Sequence, residues 1–266
     1  MSSELRVHSH ARDEAKRTVK ITPQSAGWKF IDFEVRRLEP GESTEGNTEG
    51  TEACLVLVSG KARIAGAGQD FGLMGERMNP FDGLPWSVYL PPRSTWTIEA
   101  ETPVEVAICR SPATGKFPAR AILPDEVGEV ARGEGTNQRF IRNILPDNAP
   151  GETLLVVEVI TPGGHWSSYP PHKHDTDDFP NETYLEETYY HRLKRGSGFA
   201  LQRVYTKDGS LDETMAVSDG DVVLVPRGYH PVGAPHGFDL YYLNVMAGPR
   251  RVWKFSMDPD QAHLPY

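Results

Sequence analysis

No stretch of this 266-residue chain approaches the roughly 20 consecutive apolar residues that cross a bilayer, so no membrane partner is expected. Basic residues are in the minority. Lys and Arg number 28 against 37 Asp and Glu, a formal net charge of -9, and a chain of that balance lacks the basic face that nucleic acid requires. Cysteine is scarce too. Cys54 and Cys109 each sit inside an apolar run (ACLVLV and VEVAIC) and read as buried free thiols rather than a disulfide. Residues 1–20 are polar and mixed in charge, without the apolar centre of a signal peptide, so we expect a soluble, cytoplasmic protein. Helical patterning is nearly missing. Only residues 4–20 run long enough, and their apolar positions are too sparse to form a face. Histidine is absent between His10 and His165, which confines any imidazole chemistry to the second half.

What the chain does have is strands and turns. Its 25 glycines and 22 prolines are scattered rather than periodic, as in short strands joined by tight turns. Runs rich in β-branched and aromatic residues predict strands at 28–35, 53–58, 87–90, 104–108, 154–160, 199–205, 221–225 and 240–245. The fold class is all-β. The chain also reads as duplicated. A Pro-Gly turn at Pro40-Gly41 leads through a polar loop to Glu52 and LVLVSG, and a second at Pro162-Gly163 leads to Glu186-Glu187 and YHRLKRGSG. Later, VYLPPR (88–93) parallels VLVPRG (223–228), so two barrels of similar topology are expected. Prolines at 112, 118, 124, 146 and 150 mark the junction, giving an N-terminal barrel over 1–125 and a C-terminal barrel over 126–266.

His172 and His174 are the informative histidines. In a strand, residues i and i+2 share a face, so His-Lys-His sets two imidazoles side by side with Lys173 turned away. A divalent Zn, Mn, Fe or Ni ion can take both, with a carboxylate and a third imidazole completing the set. At this point the sequence resembles the cupin superfamily. Its first motif is met by Gly164, His172, His174, Glu187 and the strand that follows, with DTDDFPNETYLE inserted before the acid. Its second is met by Gly220, Pro226, Gly228 and His230, the histidine arriving one residue early. The resemblance implies two cupin (double-stranded β-helix) barrels, a bicupin, with metal ligands His172, His174, Glu187 and His230. Glu186 competes with Glu187. We choose Glu187 because it shares alternate positions with Tyr189 and His191, a set suited to a polar cavity. His236 is the alternative to His230, whereas His165, His236 and His263 read otherwise as ordinary hydrogen-bonded histidines. No histidine lies between Gly41 and Glu52 or after Pro91-Pro92-Arg93, so the N-terminal barrel lacks the ligands and reads as structural, interfacial or a lid.

At a finer level the chain resembles the 5-deoxy-glucuronate isomerase family of bacterial inositol catabolism over nearly its whole length. The segments that carry this are SSYPPHKHD, ETYYHRLKRGSGFALQRVY, DGDVVLVPRGYHPV, LYYLNVMAGP and NPFDGLPWSVYLPP. The resemblance implies an intramolecular aldose–ketose isomerase of a sugar acid, with a divalent metal stabilising an enediolate. His191 and Tyr189 are the candidates for moving the proton. Arg203 is the candidate for the substrate carboxylate, with Gln202 facing inward if the strand phase is reversed. The expected partner is a small sugar acid, and we expect a homo-oligomer. A metal-dependent dioxygenase and a non-catalytic sugar-binding cupin are the alternative functions. An apolar, aromatic cavity would favour the dioxygenase, and Arg, Asn and Tyr groups the isomerase.

Overall fold

The computed structural model of the chain describes residues 4–264, and the only α-helix among them is the four-residue segment Pro23–Ala26. The all-β expectation holds. The sparsely apolar region 4–20 forms no helix. It supplies strand Arg6–Val7 and most of strand Arg17–Ile21, in which Val19 and Ile21 face inward and Lys20 outward. Cys54 and Cys109 are buried thiols outside any disulfide, as expected, and stand opposite each other on neighbouring strands.

Two compact units result. One holds the residues up to Ser9, Glu129–Arg142 and the chain from Val157 onward; the other holds His10–Gly128 and Asn143–Val156. The sequence suggests one junction near residue 125, but the packing exchanges two segments across it. In the N-terminal unit a six-stranded sheet runs Arg120–Ile122, Trp86–Leu90, Thr51–Ser59, Val104–Pro112, Asp32–Leu38 and Arg17–Ile21. A four-stranded sheet runs Ser43–Asn47, Thr95–Ala100, Ala62–Gly66 and Gln69–Met74. Their inner faces meet in a core that includes Leu55, Leu57, Val106 and Ile108 from the first sheet and Ile64, Trp96 and Ile98 from the second.

The C-terminal unit repeats this plan. Its large sheet includes, in order, Val222–Val225, Glu186–Leu193, Leu240–Ala247 and Leu154–Thr161. Its four-stranded sheet runs Trp166–Ser167, Val232–Gly233, Ala200–Tyr205 and Asp212–Val217. The duplication is visible residue by residue in the strand register. Glu187 lies opposite Val225 and Met246, and Ala53 lies opposite Leu90 and Arg110; Val225 and Leu90 each precede a proline.

That register shows why only one unit carries a polar interior. Ala53 stands where the other unit has Glu187, Leu55 for Tyr189, Leu57 for His191, Val106 for Tyr242 and Ile108 for Asn244. Each buried Leu, Ile or Val contributes about 1.5–3 kcal/mol to the core, so the N-terminal unit fills with apolar side chains the positions where the C-terminal unit has polar ones. Glu52 corresponds by register to Glu186 and has a structural task. Its buried carboxylate accepts hydrogen bonds from the backbone N–H groups of Glu152 (2.8 Å), Thr153 (2.6 Å) and Leu154 (2.7 Å), and from the Tyr89 hydroxyl (2.7 Å).

Candidate metal centre

Strand His172–Lys173 pairs with Ser256–Met257, and the chain then turns so that His174 donates from Nδ1 to the Leu185 carbonyl (3.2 Å). Lys173 points away, as the alternation requires, and binds Asp175 (2.6 Å) and Glu182 (2.9 Å). The insertion after His174 closes on itself through Glu182, whose carboxylate also accepts the N–H groups of Asp175 and Thr176. His230 follows a turn at Gly228, whose φ of 85° is left-handed and where a Cβ would lie 2.3 Å from the Tyr205 carbonyl oxygen. The turn is pinned from the other motif, because Asp175 Oδ2 accepts the Gly228 N–H at 2.8 Å. His230 Nδ1 in turn donates to the Gly228 carbonyl at 2.9 Å.

Since a carbonyl oxygen can only accept, Nδ1 carries the hydrogen in His174 and His230, and each Nε2 turns an acceptor lone pair inward. Both Nε2 atoms lie 3.1 Å from Glu187 Oε2. The ligand atoms of His172, His174 and His230 all fall within 4.8 Å of one another. Ligands bound to one ion at about 2.0–2.2 Å stand roughly 3 Å apart when adjacent, which is the spacing observed around Glu187. All four residues are buried, and His174 Nε2, His230 Nε2, Glu187 Oε2 and His172 Nδ1 have no hydrogen-bond partner. Buried polar atoms left unpaired cost about 1–3 kcal/mol each, and the three that meet at Glu187 Oε2, with His172 beside them, form a group that could hold a cation.

The electrostatics agree. Burial alone would push the Glu187 carboxyl up, but His230, His174 and the Asn244 amide outweigh it and hold the carboxyl at about 2. Burial lowers His172 far below the usual imidazole range and also lowers His230. His174 is raised, because the adjacent Glu187 overcomes its burial. An ionised carboxylate and neutral imidazoles are the donor set that a divalent ion requires.

His172 and Glu187 border a small cavity, also lined by Arg139, Ile141, Val157, Val159, Ser168, Tyr189, Tyr242, Asn244 and Trp253. Tyr189 reaches its wall and shares a 3.0 Å hydrogen bond with Ser168; burial keeps its phenol protonated far above its ordinary range. His191 does not line the cavity. It stacks behind Tyr189 at 6.0 Å, bonds Gln202 through Nε2 (2.9 Å), and burial lowers its imidazole to about 4. The strand phase behind its choice is right, but two residues further along the strand the side chain lies beyond the cavity wall.

Arg203 requires a correction. Its side chain is 46% exposed, pairs with Asp212 at 2.8 Å and stacks on Tyr205, while Gln202 is the residue that faces inward. Strand Ala200–Tyr205 thus has the reversed phase. His236 and His263 are exposed, and His165 bonds the Gln138 carbonyl. Arg139, Asn244 and Trp253 are cavity residues that sequence reasoning missed. Asn244 had a visible signal, a lone amide inside the apolar run LYYLNVMA. Its Nδ2 donates to Glu187 Oε1 at 2.5 Å and fixes which oxygen faces the histidines. Asn244→Ala should therefore weaken metal binding roughly ten- to a hundredfold, measurable by competition with a chromogenic chelator.

Two barrels of matching register, one of them with three clustered histidines beside a buried carboxylate, define a bicupin with a candidate metal centre. A Lactobacillus farciminis oxalate decarboxylase superposes with a TM-score of 0.67 at 13% identity, covering 97% of this chain and 89% of its own, a likeness of fold alone. The chain belongs to the KduI/IolB family, whose model matches residues 5–264. It is 54% identical to the 5-deoxy-glucuronate isomerase of Geobacillus kaustophilus over 97% of this chain and 94% of that one. An IolB-like protein from Salmonella typhimurium LT2 has 49% identity and a TM-score of 0.95, with 98% of both chains covered.

Proposed function

We propose that this protein is a 5-deoxy-glucuronate isomerase, converting 5-deoxy-D-glucuronate into 5-dehydro-2-deoxy-D-gluconate with one divalent ion held by His172, His174, Glu187 and His230. The observation that carries the reading is the end-to-end match, at 54% identity, to a relative named for that activity. The chemistry suits the cavity. A base takes the proton from the hydroxylated carbon, a proton is then delivered to the neighbouring aldehyde carbon, and in the meantime negative charge gathers on their two oxygens. A bound divalent ion supplies electrostatic stabilisation of that charge. Tyr189, a protonated phenol at the wall, donates a hydrogen bond to a substrate oxygen, and Ser168 orients it. Asn244 holds Glu187, leaving the carboxylate committed to the ligand set rather than to proton transfer. His191 supports the wall from behind.

The lining is mixed: Ile141, Val157, Val159 and Trp253 form its apolar part, while Arg139, Ser168, Asn244 and two tyrosines give a polyhydroxy acid polar partners. The test is turnover in deuterated water with dissolved oxygen recorded alongside. The proposal expects product labelled at the carbon that began as the aldehyde, because the abstracted proton exchanges before it returns. Oxygen consumption linked to turnover would move the protein to the dioxygenase class. Full retention of the substrate hydrogen would replace proton transfer by a hydride shift.

A further inference from the structure

We propose that Tyr189, Ser168 and Tyr242 form a hydroxyl relay that carries the substrate's oxygen-bound hydrogen across the enediolate, which makes Tyr242 a second catalytic phenol. The relay rests on the isomerase reading for the identity of the reaction and goes beyond the single hydrogen bond assigned to Tyr189.

Turning an aldose into a ketose moves two hydrogens. One passes from the hydroxylated carbon to the aldehyde carbon. The other leaves the hydroxyl oxygen, which becomes the ketone oxygen, and ends on the former aldehyde oxygen, which becomes a hydroxyl. A row of uncharged hydroxyls can make that second transfer without leaving an ion behind. Among the described residues, the hydroxyls of the cavity lining are those of Ser168, Tyr189 and Tyr242. They lie together. The Ser168 and Tyr189 oxygens are 3.0 Å apart, either one able to donate, and the two phenol rings meet at 4.8 Å. The Ser167 and Ser168 hydroxyls both reach the Tyr242 phenol, working against the burial that raises it. A serine hydroxyl donates one hydrogen while accepting another, so Ser168 can link the two phenols.

The bridge is held in place at some cost. Ser168 is buried with a φ of 47°, a left-handed conformation that a non-glycine residue adopts at about 1–3 kcal/mol. Behind it Thr161 donates to Ser167 at 2.8 Å, both fully buried, which fixes the hydroxyl beside Tyr242. His191 backs Tyr189 at 6.0 Å and Tyr242 at 5.9 Å, and is itself held by Gln202. In the relay, one phenol gives its hydrogen to the aldehyde oxygen and takes one from Ser168. Ser168 takes one from the other phenol, which takes the hydrogen of the substrate hydroxyl. All three hydroxyls end as they began, and the relay runs equally well in reverse.

The experiment follows deuterium in two pools. Wild-type, Ser168→Gly and Tyr242→Phe proteins, each loaded with the divalent ion, turn over 5-deoxy-D-glucuronate in deuterated water. NMR reads the label in product and in recovered substrate. Glycine adopts the φ of Ser168 freely and phenylalanine keeps the ring, so each variant removes a hydroxyl and little else. Ser168→Ala gives the same readout if the glycine variant does not fold. Each change should lower kcat roughly a hundredfold, with metal content unchanged and KM within about threefold. Removal of the carbon-bound proton continues without the relay, so the enediolate falls back to substrate. Deuterium in recovered substrate, per product formed, should therefore rise roughly tenfold or more. The double variant should be no slower than either single one, because both break the same relay. Substrate labelling and conversion that fall together would reduce Ser168 and Tyr242 to wall residues, overturning the relay and leaving the isomerase reading standing. A wild type that converts substrate with no deuterium in either pool would use a hydride shift, without an enediolate to serve, and would also overturn the relay. A wild type that neither converts nor labels 5-deoxy-D-glucuronate would overturn the isomerase reading, and the relay with it.

Discussion

Replacing His172 or His174 by Ala should leave the protein nearly free of metal and lower kcat/KM by roughly three orders of magnitude, about 4 kcal/mol of transition-state stabilisation. The effect is large because the ligands act as a set. Each imidazole is buried, and its partners have no alternative use for the atoms they aim inward, since His174 Nε2, His230 Nε2 and Glu187 Oε2 lack hydrogen bonds of their own. Removing one donor therefore weakens the ion's hold on all the others. His172 has a second role. Its ring packs against Phe255 at 4.7 Å and His230 at 4.8 Å, so truncation also opens a void that lets His230 turn. His236→Ala, on an exposed loop, should change neither metal content nor rate. Elemental analysis beside initial rates checks the series, and an H174A protein with a full metal complement would contradict the ligand set.

Glu187→Gln should remove most of the metal and most of the turnover, whereas Glu186→Gln should leave both within about threefold. The two residues are adjacent, equally buried and both acidic, so only strand phase separates them. The carboxylate of Glu187 lies 3.1 Å from two imidazole nitrogens and carries the negative charge that offsets a divalent ion. A glutamine keeps the shape but turns either a neutral oxygen or an N–H toward that point, and an N–H faces the cation unfavourably. The converse result would place the whole strand one residue out of phase and take Tyr189 off the cavity wall with it.

How much of this could be seen in the sequence depends on whether the signal is local. Thr51–Ser59, Val104–Pro112, Leu154–Thr161 and Leu240–Ala247 are buried along most of their length, so their apolar runs announce them. Ser43–Asn47 is a strand whose residues are all at least partly exposed, and STEGN looks like a loop until a neighbouring strand supplies its hydrogen bonds. At the site, His172, His174 and His230 were legible because motif spacing and alternation are local, and Glu187 followed from counting in twos. Arg139 was not. It sits on Arg139–Leu145 with no motif around it, and only the sheet order brings that strand beside Leu154–Thr161 in the wall of the cavity. Arg203 failed for the opposite reason. Alternation was the right rule, but nothing in LQRVY says which of Gln202 and Arg203 faces in, and a partner at Asp212 settles it from across the sheet.

The central claim is that one divalent ion at His172, His174, Glu187 and His230 supports the isomerisation, and stoichiometric reconstitution tests it most directly. Protein stripped by a chelator is titrated with the ion found in the native preparation, while loss of the 5-deoxy-D-glucuronate aldehyde is followed by NMR. The account predicts almost no conversion at the start and a linear rise to a plateau at one equivalent per chain. Stripped protein that isomerises at the full rate, with no metal remaining by elemental analysis, would contradict it.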